Sequence, residues 1–455
     1  MQLQPMVNNS NEKVAFIGDG WNSVLMACAH KYLKPDSEVS LFLPQNKNIL
    51  DLKPNQEFKT DETFSWLKLD HPLLSAMFHK YTQEADRIIL KTKPKYMLVK
   101  DGLTYGIPQT RSQFRWNSIL FFPVSFKILY SLKKKYSVWT QMSIFNAAKN
   151  LFGETFAEYF ASVFSRATLA VDAEDMEFAA SFPEFYKVFK KSGIIDESLK
   201  NYNAQADKRR QQFSDALPDY DKKTVTLKSS LDNFFISMLN NCREQGLAYF
   251  PEEIISLQKT GEKYELKSKK TTHGMFDQVF FSCAPEMVAQ ILANFNGELS
   301  AKFNDFKSVP LTSVYSVWDT RQFKVSGGGV IFPRKEKSKI YGAQFLSNLF
   351  PEKFEDNKTV IRSFVPGDVS LFSDDDISGM VHDSLRRLQK NLPSALSNTV
   401  IRHSFLLPRY APGFSEKFKD IHEMLYNEPG LRFSGWYYAG FSPYDNLENL
   451  IEQIN

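Results

Sequence analysis

The feature that most constrains the fold is a short apolar run that stops at a glycine-rich turn and is followed by a helical pattern. The run covers residues 14–17, the turn reads GDGWNS at 18–23, and apolar residues then recur at helical spacing as far as Leu33. A second strand pattern, EVSLFL, follows at 38–43. A strand, turn, helix and strand in this order open a nucleotide-binding unit built on a parallel sheet. The segment therefore predicts an α/β fold with a Rossmann-like domain.

The turn has the chemistry of a pyrophosphate-binding loop. Gly18 permits the sharp bend, and Gly20 lets the backbone approach a pyrophosphate, whose charge is stabilised at the N-terminus of the helix. The third position normally holds glycine for close packing of helix and strand, and here it is Ser23. We predict that Gly18, Gly20, Asn22 and Ser23 bind a dinucleotide cofactor. An ordinary tight turn that binds nothing is the alternative.

A dinucleotide site of this kind also uses an acidic residue about 20 residues further on, which binds a ribose hydroxyl. The second strand ends in Phe42, Leu43, Pro44 and Gln45, without Asp or Glu. Gln45 can form a hydrogen bond with a hydroxyl, but a weaker one than a carboxylate forms. The missing acid is the first departure from a working dinucleotide site.

Length and composition exclude several classes of protein. The 455 residues exceed one ordinary core, so we expect several domains or one domain with large insertions. No run approaches the roughly 20 apolar residues that cross a bilayer, and the N-terminus lacks the apolar core of a secretory signal. The three cysteines and seven histidines have no metal-ligand spacing, so neither a metal site nor a disulfide scaffold is expected.

We predict a cytoplasmic protein, with association with the membrane surface left open. The net charge of +4 does not favour nucleic acid as a partner, and the oligomeric state stays undecided.

Aromatic residues are abundant, with 40 phenylalanines and 14% aromatics. This load indicates first a compositional habit of the source organism, and a large apolar ligand cavity or a membrane-facing surface is the alternative. Residues 102–153 contain no Asp or Glu and hold seven Lys or Arg residues among large apolar ones. Such a basic amphipathic segment can lie on an anionic membrane, or it can form a buried helix pair with a solvated basic face. We therefore predict peripheral membrane contact through 111–150 as one of two alternatives.

Seven separated segments together carry a family resemblance in their order and spacing. They are VAFIGDGWNS at 14–23, DGLTYGIP at 101–108, VFSRATLAVDAEDMEFAASFPEF at 163–185, GGVIFPRKE at 328–336, YGAQFLSNLFP at 341–351, LPRYAPGFSEKF at 407–418 and LRFSGWYYAGFSPYDNLENLIEQ at 431–453. The chain resembles protoporphyrinogen oxidases of the FAD-dependent amine oxidase superfamily over nearly its whole length. The strongest pieces are SFP at 181–183, FPR at 332–334 and LPRY at 407–410.

The resemblance implies a fold and a domain organisation. The fold is α/β with mixed α+β parts: a Rossmann-like FAD-binding domain of the p-hydroxybenzoate hydroxylase type, a mixed-sheet substrate domain and a helical insertion that contacts the membrane. The implied boundaries are 12–80, 221–304 and 413–455 for the FAD-binding domain, 81–110 and 305–412 for the substrate domain, and 111–220 for the insertion.

The resemblance also implies an activity. In such enzymes FAD takes hydride from a porphyrinogen or a similar large apolar substrate and passes the electrons to oxygen. The flavin ring does the chemistry, while the protein positions the substrate and excludes water. The partner is then a large apolar small molecule of the tetrapyrrole kind, and no catalytic side chain is identified.

The C-terminal segment both fits and departs from the family. Gly435 and Gly440 match its pattern, so we add them to the predicted cofactor-binding residues, and Asp445 is compatible with it. The small Ser-Gly pair of the following helix is replaced by Glu448 and Asn449, whose bulk and charge would hinder the cofactor.

Further departures lie on the cofactor side. The family's Arg-x-Gly-Gly segment is replaced by QNKNI at 45–49, and its VYAGD motif by TLAVD at 168–172. Whether the chain is an enzyme is therefore open between a flavin oxidase and a non-enzymatic descendant that has lost FAD and serves as a binding or scaffold protein. Another flavin amine oxidase or a desaturase is a third hypothesis, against which the block at 163–185 argues.

Overall fold

The computed structural model describes residues 12–44, 65–90, 94–108, 130–137 and 141–455, apart from the side chains of 404–406. Gln45, the QNKNI segment and most of the basic segment at 111–150 lie outside the described residues. The strands are β1 (Lys13–Gly18), β2 (Glu38–Phe42), β3 (Leu67–Lys68), β4 (Arg87–Ile89), β5 (Tyr96–Lys100), β6 (Leu103–Gly106), β7 (Thr224–Leu227), β8 (Ala248–Phe250), β9 (Ile254–Thr260), β10 (Lys263–Ser268), β11 (Thr272–Phe276), β12 (Gln278–Ser282), β13 (Lys307–Asp319), β14 (Gly329–Ile331), β15 (Gly342–Phe345), β16 (Lys358–Pro366), β17 (Ser397–Arg409) and β18 (Leu431–Phe433).

Helices connect and cover these strands. They are α1 (Trp21–Leu33), α2 (Pro72–Tyr81), α3 (Ile144–Phe152), α4 (Glu154–Phe156), α5 (Ser162–Thr168), α6 (Phe178–Ser181), α7 (Pro183–Ser192), α8 (Ile195–Gln212), α9 (Asp232–Glu244), α10 (Pro285–Leu292), α11 (Gly297–Phe303), α12 (Leu346–Leu349), α13 (Asp374–Leu385), α14 (Phe414–Met424) and α15 (Pro443–Ile454). A π-helical turn over Ala157–Ala161 joins α4 to α5.

A five-stranded parallel sheet forms around β1, with strand order β18-β12-β1-β2-β8. The residues of β1 after Lys13 are buried, as expected for a parallel strand covered on both faces. One face, with Val14 and Phe16, packs against α1, α2, α9 and α15. The opposite face, with Ala15 and Ile17, packs against the antiparallel strands β9–β11 and against α10 and α14. The predicted strand, turn, helix and strand are therefore confirmed, and so is the α/β fold class.

A seven-stranded mixed sheet forms the second large unit, in the order β17-β13-β16-β15-β14-β5-β6. The long strand β13 pairs antiparallel with both β16 and β17, whereas β14 pairs parallel with β5. A small sheet of β3, β7 and β4 lies beside α2. The mixed sheet that the resemblance implies is thus present.

The two large sheets draw their strands from different parts of the chain. The parallel sheet uses segments that fall within 12–80, 221–304 and 413–455, and the mixed sheet uses segments within 81–110 and 305–412. The domain boundaries themselves stay a prediction. Helices α3–α8 lie between the strands β6 and β7. In the part of the chain that the structure describes, no helix is both long enough and apolar enough to cross a bilayer.

Candidate functional site

The glycine-rich turn joins β1 to α1 at the carboxyl edge of the parallel sheet. A Cβ atom at Gly18 would lie 2.2 Å from Ser23 Cβ, so no side chain fits there. The Ser23 hydroxyl is buried, donates to the carbonyl oxygen of Ser282 at 2.9 Å, and accepts from the backbone N–H of Asp19. Ser23 therefore ties α1 to β12, and its hydroxyl is engaged within the fold rather than directed at a ligand.

Gly20 leaves space in front of α1. It precedes the helix with an extended φ of 175°, and the first turn of α1 contains no acidic residue. A Cβ atom at Gly20 would meet no atom of the described residues within 4 Å. The positive end of the helix dipole is thus accessible, as an anion site at a helix N-terminus requires.

Asn22 connects this turn to the loop after β18. Its side-chain Oδ1 accepts a hydrogen bond from the backbone N–H of Trp436 at 3.1 Å. Gly435 has a positive φ of 83°, and a Cβ atom there would lie 2.0 Å from Asn22 Oδ1. The predicted residues Gly18, Gly20, Asn22 and Gly435 therefore meet at one place, although they are separated by more than 400 residues in sequence.

Gly440 brings the block at 163–185 against the C-terminal segment. It has a φ of 97°, and a Cβ atom there would lie 2.7 Å from Pro183 Cδ and 2.9 Å from Asp445 Cβ. Glu177, from the same block, is fully buried and accepts hydrogen bonds from the backbone N–H groups of Gly413 and Ser415 at the start of α14. Three of the seven segments that carry the resemblance, at 163–185, 407–418 and 431–453, are therefore in contact with one another.

A cavity of about 690 Å³ opens where α1, the loop after β18, helix α5 and the mixed sheet face one another. Its described lining includes Asn22, Trp436, Ser442 and residues of β14, β15 and β16, but neither histidine nor cysteine. Aromatic rings form much of the wall. They include Trp66, Tyr96, Phe160, Phe164, Phe364 and Phe441. A pocket of this volume and apolar character suits a large organic ligand.

Two arginines of the cavity wall were not anticipated from the sequence. Arg362 in β16 is 2% exposed, donates to the hydroxyls of Ser313 and Ser65 at 3.0 Å, and lies between the rings of Tyr315 and Phe364. An arginine at an inward position of a strand is the sequence signal that identifies it, because such a position normally holds an apolar residue.

The second arginine, Arg166 of α5, is also buried. It forms an ion pair with Asp172 at 2.6 Å and donates to the carbonyl oxygen of Phe332 at 2.8 Å. Its guanidinium lies 4.5 Å from the centre of the Tyr341 ring. Arg166 thus fastens the block at 163–185 to the FPR segment beside the cavity.

The N-terminus of α15 faces the cavity through Ser442 and Pro443. The Ser442 hydroxyl accepts from the backbone N–H of Asp445 at 3.1 Å and donates to its Oδ2 at 2.6 Å. Burial raises the pKa of Asp445 to about 7, and the nearby carboxylates of Glu184 and Asp70 act in the same direction.

This carboxyl predicts a pH dependence of stability. The pKa of Asp445 in the folded chain lies above its unfolded value of about 3.9, so its contribution is complete below pH 4 and is lost as the pH rises to about 7. An Asp445→Asn variant should not show this loss, and should be more stable than the wild type at pH 8 by about 1–2 kcal/mol. Urea unfolding of both proteins at pH 4 and pH 8 measures the difference. Equal pH dependence of the two proteins would contradict the assignment.

Glu448 lies in a buried polar cluster and not among the described residues of the cavity wall. Its Oε1 accepts from His71 Nε2 at 3.0 Å, and Arg209 donates to both carboxylate oxygens at 2.8 and 2.6 Å. His71 Nδ1 accepts from the backbone N–H of Leu73, so the ring is a neutral donor, and burial lowers its pKa. The expectation that Glu448 would hinder a cofactor is corrected, because α2 and α8 hold this side chain.

The turn and the cavity wall fit a dinucleotide cofactor in most respects. Gly18 permits the tight packing of the turn, Gly20 leaves open space in front of it among the described residues, and the N-termini of α1 and α15 both face the same region. One contact argues against the fit. The backbone N–H of Trp436 already donates a hydrogen bond to Asn22 Oδ1, so it is not free to bind a cofactor. No group of residues that could hold a metal ion occurs in the described ranges, and all three cysteines are free and buried.

Comparisons with known proteins agree with this architecture. No family model matches the sequence. The chain is 22% identical over 402 residues to protoporphyrinogen oxidase 2, chloroplastic/mitochondrial, of Arabidopsis thaliana, covering 79% of this chain and 76% of that protein. A crystal structure of a "putative protoporphyrinogen oxidase" from Exiguobacterium sp. 255-15 aligns with a TM-score of 0.73 at 15% identity over 97% of this chain and 98% of that one. Cyclohexylamine oxidase from Brevibacterium oxydans IH-35A aligns with a TM-score of 0.63 at 10% identity, over 97% and 98% of the two chains. This chain is therefore similar in sequence to a protoporphyrinogen oxidase, and it shares its fold with solved structures that include an amine oxidase.

Proposed function

We propose that the chain is a flavin-dependent oxidoreductase that oxidises a large, flat and mainly apolar substrate of the porphyrinogen class. The observation that carries the proposal is the cavity of about 690 Å³ between the glycine-rich turn and the mixed sheet. Its size and its aromatic wall suit a macrocyclic ligand. The protein from Arabidopsis supports the same substrate class by its name.

In this mechanism the side chains bind, orient and exclude water. FAD, when bound, supplies the acceptor for the hydride. Gly20 and the N-terminus of α1 would hold its pyrophosphate, and Gly18 permits the bend of the turn. The N-terminus of α15, which faces the cavity, would contribute to holding the cofactor. The rings of Phe160, Phe164 and Phe364 keep the cavity apolar, and Arg362 is held rigidly by its hydroxyl partners. No side chain is assigned a proton transfer.

A visible absorption spectrum of the freshly purified chain, recorded before and after denaturation, tests the proposal. We expect a flavin spectrum at near-stoichiometric occupancy, and the flavin should then be reduced when a porphyrinogen is added without oxygen. A chain that stays colourless after incubation with FAD would contradict the proposal.

A second candidate is a non-enzymatic binding protein that has kept the fold and lost FAD. The hydrogen bond between Asn22 and Trp436 favours it, because this contact closes part of the region between the turn and the C-terminal loop. A colourless chain that binds a fluorescent porphyrin in the same cavity would support this candidate. The variant Phe364→Arg should then weaken porphyrin binding, because it places a charge in the apolar wall.

We also propose that the basic segment at 111–150 contacts anionic membranes. Within its described part, Lys133, Lys134 and Lys135 are exposed, as is Tyr130. Replacing the three lysines by glutamate should weaken binding to vesicles that contain phosphatidylserine by about 1 kcal/mol for each lost contact. A variant with three exposed lysines replaced elsewhere, Lys337, Lys339 and Lys390, provides the control. Unchanged vesicle binding by the first variant would contradict the proposal.

A further inference from the structure

We propose that Asn22 is a latch that competes with an anionic ligand at the glycine-rich turn and thereby sets the affinity of the chain for a dinucleotide. The latch consists of the Asn22 side chain and the backbone N–H of Trp436. The inference deepens the proposed function and rests on it, because it concerns the same cofactor site. It assigns to Asn22 an effect opposite to that of a cofactor-binding residue.

The geometry places the neutral Asn22 Oδ1 at the N-terminus of α1 and against the backbone N–H of Trp436. Asn22 is the second residue of α1 and is 7% exposed. Its Oδ1 lies at the N-terminal end of this helix and accepts the Trp436 N–H at 3.1 Å. The same oxygen lies so close to Gly435 that any side chain there would collide with it. An anionic oxygen that approaches the turn would find this donor already engaged.

The contact between Asn22 and Trp436 also lies where it can control the access of a ligand to the glycine-rich turn. Both Asn22 and Trp436 line the cavity, so the latch stands between the turn and the space that would hold the rest of a ligand. Gly20 beside it leaves open space among the described residues. A ligand that uses both the helix N-terminus and the Trp436 N–H must therefore displace the Asn22 carboxamide, and the lost hydrogen bond reduces its affinity. A short residue at position 22 would avoid this loss.

The test compares FAD binding by the wild type, Asn22→Ser and Asn22→Asp. Each full-length protein is freed of co-purified flavin and titrated with FAD, and the quenching of flavin fluorescence gives Kd. Serine is too short to reach the Trp436 N–H, so Kd should fall by about tenfold, the value of one buried hydrogen bond. Asn22→Asp keeps the length and the acceptor but adds a negative charge, so Kd should rise by at least about tenfold.

The outcomes separate the latch from the proposed function. If the wild type binds FAD and Asn22→Ser binds it equally or less tightly, the latch is overturned and the flavin function stands. If only Asn22→Ser binds FAD, the latch stands and the wild type is not a flavoprotein. If neither protein binds FAD, both are overturned. Melting curves confirm that the variants fold, and Asn22→Ala, for which the same result is expected, replaces Asn22→Ser if that variant is unstable.

Discussion

A leucine in place of Gly20 should abolish flavin binding while leaving the fold intact. A side chain at this position would extend into open space among the described residues, so it creates no collision within the folded chain. The extended backbone of Gly20 also tolerates a side chain. The same space lies in front of the positive end of α1, where a pyrophosphate would bind. Flavin content and melting temperature of Gly20→Leu measure the two effects separately.

Gly18→Ala provides the matched control at the other glycine of the turn. Its new methyl group would lie 2.2 Å from Ser23 Cβ and 2.8 Å from Leu43 Cδ2. The expected result is a loss of about 1–3 kcal/mol in the free energy of unfolding, since overpacking forces the turn apart. Gly20→Leu should therefore lose the ligand and Gly18→Ala should lose stability. Normal flavin content in Gly20→Leu would show that the cofactor does not bind at this turn.

Replacing Glu448 by alanine should lower the free energy of unfolding by about 3–5 kcal/mol. The carboxylate is 9% exposed and links α15 to α2 through His71 and to α8 through Arg209. Burial alone would raise its pKa, but the hydrogen bonds from His71 and Arg209 lower it to about 2. The alanine variant leaves the partly buried Arg209 without this partner. Denaturant unfolding at neutral pH measures the loss.

Glu448→Gln separates charge from shape at the same position. The folded-state pKa of Glu448 lies below the unfolded value of about 4.3, so its contribution is present above that pH and is lost as the pH falls towards 2. The glutamine variant should lose stability at neutral pH but should not show this acid dependence. The exposed Glu423→Ala, on α14, is the surface control. A Glu448→Ala variant as stable as this control would show that the cluster contributes little.

The sequence predicts the parts of the fold in which local pattern and packing agree. The apolar run before Gly18 is buried on both faces in β1, and the helical spacing after it becomes α1. The local pattern gives the wrong end of a helix where contacts in the folded chain decide that end. The amphipathic pattern at 374–392 predicts one helix, but α13 ends at Leu385, and Leu392 and Pro393 bind His382 through their carbonyl oxygens. The side chain of a residue near the end of the helix thus satisfies carbonyls of the chain that follows it.

The candidate site is harder to predict from the sequence than the fold is. The glycines at 18, 20, 435 and 440 are visible as a pattern, and at 18, 435 and 440 close neighbours leave no room for a side chain. The sequence does not show towards which partner a polar side chain points. The sequence does not indicate that Glu448 turns towards His71, or that Asn22 bonds to Trp436, because each pair is more than 370 residues apart. Arg362 and Arg166 also join the cavity only through the assembled sheet and helices.

The contact between Asn22 and Trp436 has a consequence for biosynthesis. Its two residues are 414 positions apart, and β18 and α15 also belong to the last part of the chain. The strand β1 and the helix α1 leave the ribosomal tunnel long before β18 and α15 are synthesised. The part of the cavity wall formed by Trp436 and Ser442 is therefore absent during most of translation. Contacts of such long range form late and slowly. The side of α1 that packs against α15 therefore stays uncovered until residues 443–454 have been synthesised, and this is the interval in which we expect the nascent chain to depend on chaperones.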